Sequence, residues 1–140
     1  MSTILIIGAS SGIGQQLAKQ LISSGHHIIG TFHSTPIVAE SPGEFYHQCN
    51  ILDEQPDFSY LPDSLDGIVY CPGSISLKPF HRIKPNDFVA DYSLQVIGAI
   101  KAIQAALPAL KKGANPSIVM FSTTAVQTGL NFHTMVSSSK

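Results

Sequence analysis

The sequence predicts an α/β fold, a Rossmann-like doubly wound parallel sheet, from three observations. Thr3–Ile7 is a short apolar run that leads directly into a glycine-rich turn, and a helical pattern begins at once after that turn. Further apolar runs alternate with helical or loop segments through all 140 residues. The first run is continuously apolar, as in parallel strands buried on both faces. This pattern favours right-handed crossovers and the strand order 3-2-1-4-5, which further strands beyond the given chain would extend.

The glycine-rich turn has the features of an anion-binding site. Gly8, Gly12 and Gly14 follow the first strand with the spacing G-x-x-x-G-x-G. Glycine is required where a Cβ would block a ligand or where φ is positive. The free N–H groups and the positive dipole end of the following helix point at whatever lies over the turn. No Gly-Lys-Ser/Thr sequence closes the motif, which excludes a Walker-type loop.

The other elements follow from periodicity and turn residues. Gly25 ends the first helix, and Pro56 permits only a brief helix over residues 53–61. Residues 33–43 are rich in proline and serine, so the helix expected between strands two and three is short or absent. The predicted strands cover residues 3–7, 26–32, 44–49, 66–71 and 116–122, and the first helix covers residues 12–24, with Leu17, Ala18, Leu21 and Ile22 on its inner face.

A long apolar helix is predicted from residue 86 to about residue 112, with Asn86 or Asp87 as its N-cap. Pro108 is expected to bend or close it. Because the helix is apolar around much of its circumference, we expect one side to pack on the sheet and the other on a partner. Helix 86–112 is therefore a candidate contact surface, with ordinary core packing as the alternative. A further helix is expected to start near His133.

The composition excludes several classes of protein. The hydrophobic fraction is 44% and the charged fraction 12%, which excludes a disordered chain, and the net charge of −1 gives no case for nucleic acid or an acidic membrane. We find no apolar run long enough to cross a bilayer and no signal peptide. Two cysteines, Cys49 and Cys71, suggest no disulfide framework and fit the cytoplasm. The six histidines lack metal-ligand spacing, so we expect no metal.

The turn, with Ala-Ser-Ser between Gly8 and Gly12, resembles that of the short-chain dehydrogenase/reductase family. Members of that family run to roughly 250 residues as one domain. The resemblance therefore covers residues 1–140 as a single NAD(P)-binding Rossmann-type domain that looks truncated relative to the family. It implies an NAD(P)(H)-dependent oxidoreductase that acts on a small-molecule carbonyl or alcohol. It also implies that the partner of helix 86–112 is a second copy of the chain, in a homo-oligomer.

The resemblance also assigns residues to the cofactor. Gly8, Gly12 and Gly14 match the glycines at the pyrophosphate, and Asn50-Ile51 falls where the family has Asp-Val near the adenine. Gly73 is retained from the family's Asn-Asn-Ala-Gly, while both asparagines are replaced, by Tyr70 and Cys71. The implied contacts are Gly8, Ser10, Ser11, Gly12, Ile13, Gly14, His33, Asn50, Ile51, Cys71, Gly73 and Lys140.

The catalytic residues of the family are partly replaced. Lys140 matches the lysine of Tyr-x-x-x-Lys, but Val136 stands in place of the tyrosine that donates the proton. Thr123 stands where the family has its serine, with Ser122 as the alternative, and Gln95 stands where it has an asparagine. Losing a positioned general acid costs about 10²–10⁴ in rate. His133 and a bound water molecule are alternative donors that no spacing supports.

The second strand ends without an acidic residue. A dehydrogenase that prefers NAD has an acid there, which grips the ribose hydroxyls. The sequence here is Thr31-Phe32-His33-Ser34, and His33 and Ser34 can donate to a 2′-phosphate. This favours NADP(H) over NAD(H), although a solvent-exposed role for His33 is an equal alternative.

Three interpretations stay open at this point. The chain is an oxidoreductase with altered catalytic residues, a catalytically silent dinucleotide-binding protein, or a fragment of a longer enzyme. Replacement of the tyrosine by Val136 favours the second. The third follows from the position of Lys140 inside an active-site motif.

Overall fold

The computed structural model describes all residues from Met1 to Lys140 and contains one parallel sheet of five strands. The strand order is β3-β2-β1-β4-β5, which confirms the predicted fold class and order. The first strand has the predicted bounds, and the other four are slightly shorter than predicted. The bounds are β1 Thr3–Ile7, β2 His27–Phe32, β3 Glu44–Gln48, β4 Gly67–Tyr70 and β5 Ser117–Met120.

The side chains of β1 alternate between two layers. Leu5 and Ile7 face a cluster that includes Ile68 and the long helix, whereas Ile6 faces the first helix together with Ile28. This alternation is the period of two residues that any strand has. Because both faces are covered, the central strands need apolar residues at every position, which explains the continuous apolar run in the sequence.

Helix α1, Gly12–Ser23, follows the turn directly, as predicted. Gly25 has a φ of +81°, the left-handed conformation that ends a helix. The chain between β2 and β3 contains no helix. The sequence allowed at most a brief helix over residues 53–61, and the structure has none. Pro56 and the side chain of Asp57, which accepts the N–H of Ser59 at 2.8 Å, favour turns instead.

The long helix runs from Pro85 to Leu110 in three parts. They are α2 Pro85–Tyr92, a π-helical segment Ser93–Ile97 and α3 Gly98–Leu110. The predicted N-caps, Asn86 and Asp87, are wrong because the cap is Lys84. Asp87 lies in the first turn, where its carboxylate accepts the N–H of Lys84 at 3.0 Å. Pro108 lies within α3, so it does not close the helix.

Small residues of α3 contact the sheet. Ala99, Ala102, Ala106 and Ala109 are buried in the main core, which lets the helix backbone approach the strands closely. Larger side chains face outward, and Val89, Tyr92, Ile97, Ile100 and Leu107 are all exposed. The outward apolar face that the sequence predicted is therefore present.

The helix Pro85–Leu110 is also long and apolar enough to cross a membrane. The sequence-based expectation that no apolar run is long enough to cross a bilayer is therefore wrong, because this helix has the required length and composition. The helix nevertheless buries 39% of its most apolar window inside the fold, and it contacts β4. A core helix of a globular protein can be equally long and apolar, so length and composition alone do not show that this helix crosses a membrane.

The chain after α3 returns to the sheet as β5 and then turns back towards the long helix. All four residues of β5 are exposed. A single turn of 3₁₀-helix, Thr124–Val126, follows, and then helix α4, Thr134–Ser139, begins at the predicted place. Helix α4 packs against α2. Lys140, which ends the described chain, is thereby carried to the sheet edge that holds the glycine turn.

We predict that Gly98→Ala lowers the free energy of unfolding by about 2 kcal/mol, because a Cβ there overlaps the Tyr70 hydroxyl. An Ala in a helix is otherwise favoured over Gly. Urea denaturation measures the effect. Tyr70→Phe, which loses only its hydrogen bond to Leu94 O, should cost about 1 kcal/mol. In that background Gly98→Ala should cost less than half as much; additive effects of the two changes would contradict this account.

Candidate active site

The carboxyl ends of β1, β2 and β4 open into one groove of about 490 Å³. This is the switch point of the sheet, where the chain runs from β1 to β2 on one side and β4 lies on the other. The groove collects residues from well-separated stretches of the sequence. They are Ile7, Gly8, Ser10, Ser11, Gly12, Ile13, Gly14, Thr31, His33, Cys49, Asn50, Ile51, Leu52, Cys71, Pro72, Gly73 and Leu94.

The glycines of the turn are required by backbone geometry. Gly8 and Gly12 have φ values of +80° and +54°, which residues with a Cβ rarely adopt. A Cβ on Gly14 would overlap Gly8 O, so the helix can begin this close to the strand only with glycine there. The turn is therefore built by backbone contacts.

Thr31 anchors this turn from the neighbouring strand. Its buried hydroxyl accepts the N–H of Gly8 at 3.0 Å, and its carbonyl accepts the N–H of Ala9 at 2.7 Å. Sequence reasoning assigned Thr31 no role of its own. A threonine at the end of a predicted strand carries no local signal for a contact with a glycine 23 positions earlier.

The start of α1 presents backbone donors to the groove. Its first intrahelical bond runs from Gln15 N to Ser11 O at 3.2 Å, so the N–H groups of Gly12, Ile13 and Gly14 have no partner within the helix. The first turn contains no acidic residue. An anion over the turn therefore meets N–H groups and the positive end of the helix dipole, without an opposing side-chain charge.

The far end of the groove is polar and contains no acid from β2. His33 is exposed, and its carbonyl accepts the side-chain amide of Gln48 at 3.0 Å, which fixes the backbone there. Asn50 already uses its side chain: Oδ1 accepts the N–H of Leu52 at 3.2 Å, and Nδ2 donates to Asp53 at 2.6 Å. The Asn50 oxygen keeps a second lone pair for a ligand.

The β4 end of the groove carries Cys71, Pro72 and Gly73. Pro72 lies close against Gly8, where a Cβ on the glycine would come 3.2 Å from the proline ring. Burial raises the pKa of the Cys71 thiol to about 11, against an opposing effect of the Lys140 charge. The thiol is therefore a neutral wall of the groove at physiological pH.

A second cavity of about 390 Å³ adjoins the first and is mainly apolar. Gln95, Ser122 and Lys140 line it, among side chains from α3 and β5. The Ser122 hydroxyl donates to Lys140 O at 3.3 Å. Thr123 lines neither cavity, and its hydroxyl accepts the N–H of Ala125 at 3.3 Å as the cap of the short 3₁₀ turn. The structure thus brings Gln95, Lys140 and the alternative residue Ser122 together and leaves Thr123 outside.

Gly73 is where the two cavities meet. A Cβ placed on Gly73 would lie 3.3 Å from Lys140 Nζ and 3.4 Å from Gln95 Oε1. Lys140 therefore lines the second cavity and also reaches the groove of the glycine turn. A side chain at Gly73 would narrow the space between the ammonium and the amide oxygen, and the ends of both side chains would have to shift by a few tenths of an ångström.

Val136 lies in helix α4, one turn before Lys140, and is 1% exposed. It lines neither of the two cavities. His133 Nδ1 lies 2.7 Å from Asn131 O, and this side chain is also outside both cavities. No group of three or more histidine, cysteine, aspartate or glutamate side chains could hold a metal ion.

Comparison with known proteins identifies the family and the fold. The family model described as short chain dehydrogenase matches residues 2–140. The chain belongs to the short-chain dehydrogenase family. A short-chain dehydrogenase of Neurospora crassa is 32% identical over an alignment that covers 92% of this chain and 59% of that protein. A 3-alpha-hydroxysteroid dehydrogenase/carbonyl reductase of Comamonas testosteroni is also 32% identical, over 89% of this chain and 45% of that protein.

Solved structures agree on the fold of this short-chain dehydrogenase chain. A short-chain dehydrogenase from Streptomyces avermitilis superposes with a TM-score of 0.89 at 21% identity, over 100% of this chain and 57% of that one. An aldohexose dehydrogenase from Thermoplasma acidophilum gives a TM-score of 0.85 at 18% identity, over 99% of this chain and 55% of that one. At these identities the likeness concerns the fold alone. The chain spans about half the length of the relatives it matches.

We predict that iodoacetamide alkylates the Cys71 thiol of this short-chain dehydrogenase slowly at neutral pH. Because its pKa is about 11, its thiolate fraction should rise by about tenfold per pH unit from pH 7 to pH 10. Peptide mass spectrometry after iodoacetamide treatment measures the rate, with circular dichroism as the control for folding. Lys140→Met should slow the reaction at pH 9, because the lysine charge lowers this pKa. A rate that levels off by pH 9 would contradict the prediction.

We also predict that Val136→Tyr, which restores the family's tyrosine, lowers the free energy of unfolding by about 1–3 kcal/mol, because the added ring enters a filled site. We expect no gain in hydride transfer. Thermal denaturation and NADPH oxidation with a carbonyl panel measure the two effects. The control is Val126→Tyr at a side chain that is 44% exposed, where stability should change by no more than about 0.5 kcal/mol. A rise in turnover, or an unchanged stability, would show the corresponding expectation to be wrong.

Proposed function

We propose that this protein is an NAD(P)(H)-dependent oxidoreductase that acts on a carbonyl or alcohol substrate. One observation carries the proposal: a single groove gathers the glycine turn, the ends of β2 and β4 and the polar residues after β3. A groove that crosses several strand ends and has backbone donors at its centre suits an extended ligand with an anionic middle. Family membership supports the same class of reaction, and members of the family use NAD(H) or NADP(H).

The residues of the groove fit a dinucleotide. In the proposal, the N–H groups of Gly12 and Ile13 hold the pyrophosphate, and Asn50 and Ile51 contact the adenine. Lys140 and Gly73 lie at the other end, where the nicotinamide half would lie. When bound, the nicotinamide ring supplies or accepts the hydride. The protein then contributes binding, orientation and exclusion of water.

We propose NADP(H) as the preferred cofactor. The groove has no carboxylate at the end of β2 that would repel a 2′-phosphate, and the exposed imidazole of His33 lies on its wall. Ser34 follows it in the loop. A phosphate there meets donors and no fixed negative charge.

The chemistry at the carbonyl rests on Gln95, Lys140 and a hydroxyl. Ser122 lines the cavity with both of them, so we propose Ser122 ahead of Thr123 as the group that orients the substrate oxygen. Val136 neither donates nor accepts a proton. In this proposal the proton reaches the substrate from Lys140 or through water held beside it, at a lower rate than a positioned tyrosine gives.

The second candidate function is binding of the dinucleotide without turnover. The buried Val136 at the tyrosine position favours it. The two candidates share the groove and differ only in hydride transfer, so oxidation of bound NADPH by a carbonyl panel separates them.

We also propose that the protein forms a homo-oligomer and lies in the cytoplasm. The exposed apolar face of helix Pro85–Leu110 supports a homo-oligomer. Both cysteines are free thiols, which supports a cytoplasmic location. Size-exclusion chromatography with light scattering tests the first, and fractionation of the source cell tests the second.

We predict micromolar binding of NADPH and weaker binding of NADH, measured by fluorescence titration of the purified protein. His33→Asp places a carboxylate beside the 2′-phosphate, so it should weaken NADPH binding by about tenfold, equivalent to about 1.4 kcal/mol, and leave NADH binding nearly unchanged. His81→Asp is the matched control, because His81 is exposed and lies outside the groove. If His33→Asp weakened NADPH and NADH binding equally, the proposed role of His33 would be contradicted. If the wild type bound neither NADPH nor NADH, the proposed function would be contradicted.

A further inference from the structure

A buried polar cluster joins the long helix to α4 beneath the second cavity. Its members are Asp91, Gln95 and Ser139, which are 5%, 7% and 9% exposed. The Ser139 hydroxyl donates to Asp91 Oδ2. Gln95 Nε2 donates to Asp91 Oδ1 at 3.0 Å and to Oδ2 at 3.3 Å. The family resemblance assigned no role to Asp91, which belongs to no motif found in the sequence.

The cluster decides which way the Gln95 amide faces. Nε2 has a further contact, the carbonyl of Ser74 at 3.2 Å, so every hydrogen-bond partner of this nitrogen is an oxygen that accepts. An amide nitrogen has two hydrogens to donate, and both are used here. The reverse orientation would place the amide oxygen against a carboxylate and a carbonyl, with no hydrogen between them. Asp91 and Ser74 O therefore hold the oxygen on the opposite side.

The Gln95 oxygen held in this way has no partner. Oε1 is buried and accepts no hydrogen bond. It lies 3.4 Å from the place of a Cβ on Gly73, and Lys140 Nζ lies 3.3 Å from that same place. An acceptor and a cationic donor thus flank the space beside Gly73 at the junction of the two cavities. A buried acceptor without a donor destabilises the site, so a ligand that brings a donor to this oxygen regains that free energy.

We propose that Asp91 is a positioning residue of the site. Its carboxylate fixes the Gln95 amide so that Oε1 accepts a hydrogen bond from a hydroxyl of the ligand that lies against Gly73. This inference rests on the proposed function, because the ribose hydroxyls of NADPH are the donors in question. Asp91 itself lines neither of the two cavities and acts only through Gln95.

The chemistry of the carboxylate makes the proposal testable with a substitution of the same shape. Asp91→Asn replaces one acceptor oxygen by an amide that donates. Gln95 can then rotate its amide so that Oε1 accepts from Asn, which removes the acceptor from the junction. The Ser139 hydroxyl keeps an oxygen to donate to. The fold therefore loses little, while the direction of the Gln95 oxygen is no longer determined.

The first experiment reads the Gln95 amide directly by ¹H–¹⁵N NMR of the whole protein without ligand. Gln95→Leu assigns its two side-chain N–H signals by their loss. In the wild type we expect slow hydrogen exchange at both, since both hydrogens are bonded and buried. In Asp91→Asn we expect both signals to shift and to exchange at least about tenfold faster. Asp87→Asn is the matched control on the same helix, and it should leave these signals unchanged.

The second experiment measures NADPH affinity in the same variants, with thermal denaturation alongside. Asp91→Asn and Gln95→Leu should each weaken NADPH binding by about fivefold to tenfold. The double variant should bind no more weakly than Gln95→Leu alone, because Asp91 acts through Gln95. If Asp91 had only a structural role, the losses of NADPH affinity in the two single variants would add in the double variant. The loss of affinity would also parallel the loss of thermal stability.

The two proposals fail in different ways. If the wild type binds neither NADPH nor NADH, the proposed function is wrong, and the NMR result still decides whether Asp91 fixes the Gln95 amide. If the wild type binds NADPH but Asp91→Asn leaves both the affinity and the Gln95 signals unchanged, the inference about Asp91 is wrong. Additive losses in the double variant overturn it as well.

Discussion

The close approach of two backbone segments at the glycine turn is the constraint on which the site depends. Gly14 of helix α1 lies directly against the carbonyl of Gly8, and no side chain fits between them. Thr31 holds the same turn from β2 with two hydrogen bonds. Because strand and helix are joined this tightly, the unbonded N–H groups of α1 face the mouth of the sheet. A looser turn would move the helix dipole away from the groove and leave only a surface loop.

The long helix supplies the other half of the site, and its packing follows from small side chains. Alanines face the sheet, so the helix lies close to β4 and carries its polar residues up to the strand ends. Tyr70 replaces a family asparagine at the end of β4, and its hydroxyl donates to Leu94 O within the π-helical segment. Gly98 leaves the space that this hydroxyl occupies. One substitution at a strand end is thus accommodated by the helix that carries Gln95.

The altered residues of the site are connected with one another. Val136 is buried and removes the hydroxyl that the family places beside the lysine, whereas Gln95 offers a buried oxygen near that lysine. Gln95 is longer than asparagine, and its amide is held by a carboxylate that lies one helical turn earlier. The site therefore keeps an ammonium and an amide, while the groups around them differ from the family pattern. In the proposed function, this ammonium and this amide contact the ligand, and proton transfer uses a route other than a tyrosine hydroxyl.

Local pattern was sufficient to predict the fold and to select most of the residues that line the groove of the glycine turn. The first strand, the turn and α1 are consecutive, so glycine spacing and apolar runs identified them. Most of the predicted site residues line one of the two cavities, whereas Thr123, Ser34 and His133 line neither. The N-cap of the long helix was predicted wrongly. Asp87 lies in the first turn and accepts the N–H of the N-cap residue, Lys84. The position of an acidic residue in the sequence does not distinguish such a first-turn acid from an N-cap. The direction of the large apolar side chains of that helix was equally ambiguous, since periodicity does not say which stripe meets the sheet.

The sequence by itself determined the parallel order of the strands, the position of the glycine turn and the place of Lys140 in a family motif. These features depend on residues that are close along the chain, or on a topology that short right-handed connections dictate. Only the tertiary structure decided the contacts of Thr31, Asp91 and Ser139. Asp91 and Ser139 are 48 positions apart, and their contact exists because α4 packs on α2. Polar groups that are ordinary in the sequence become specific when burial leaves each of them few partners.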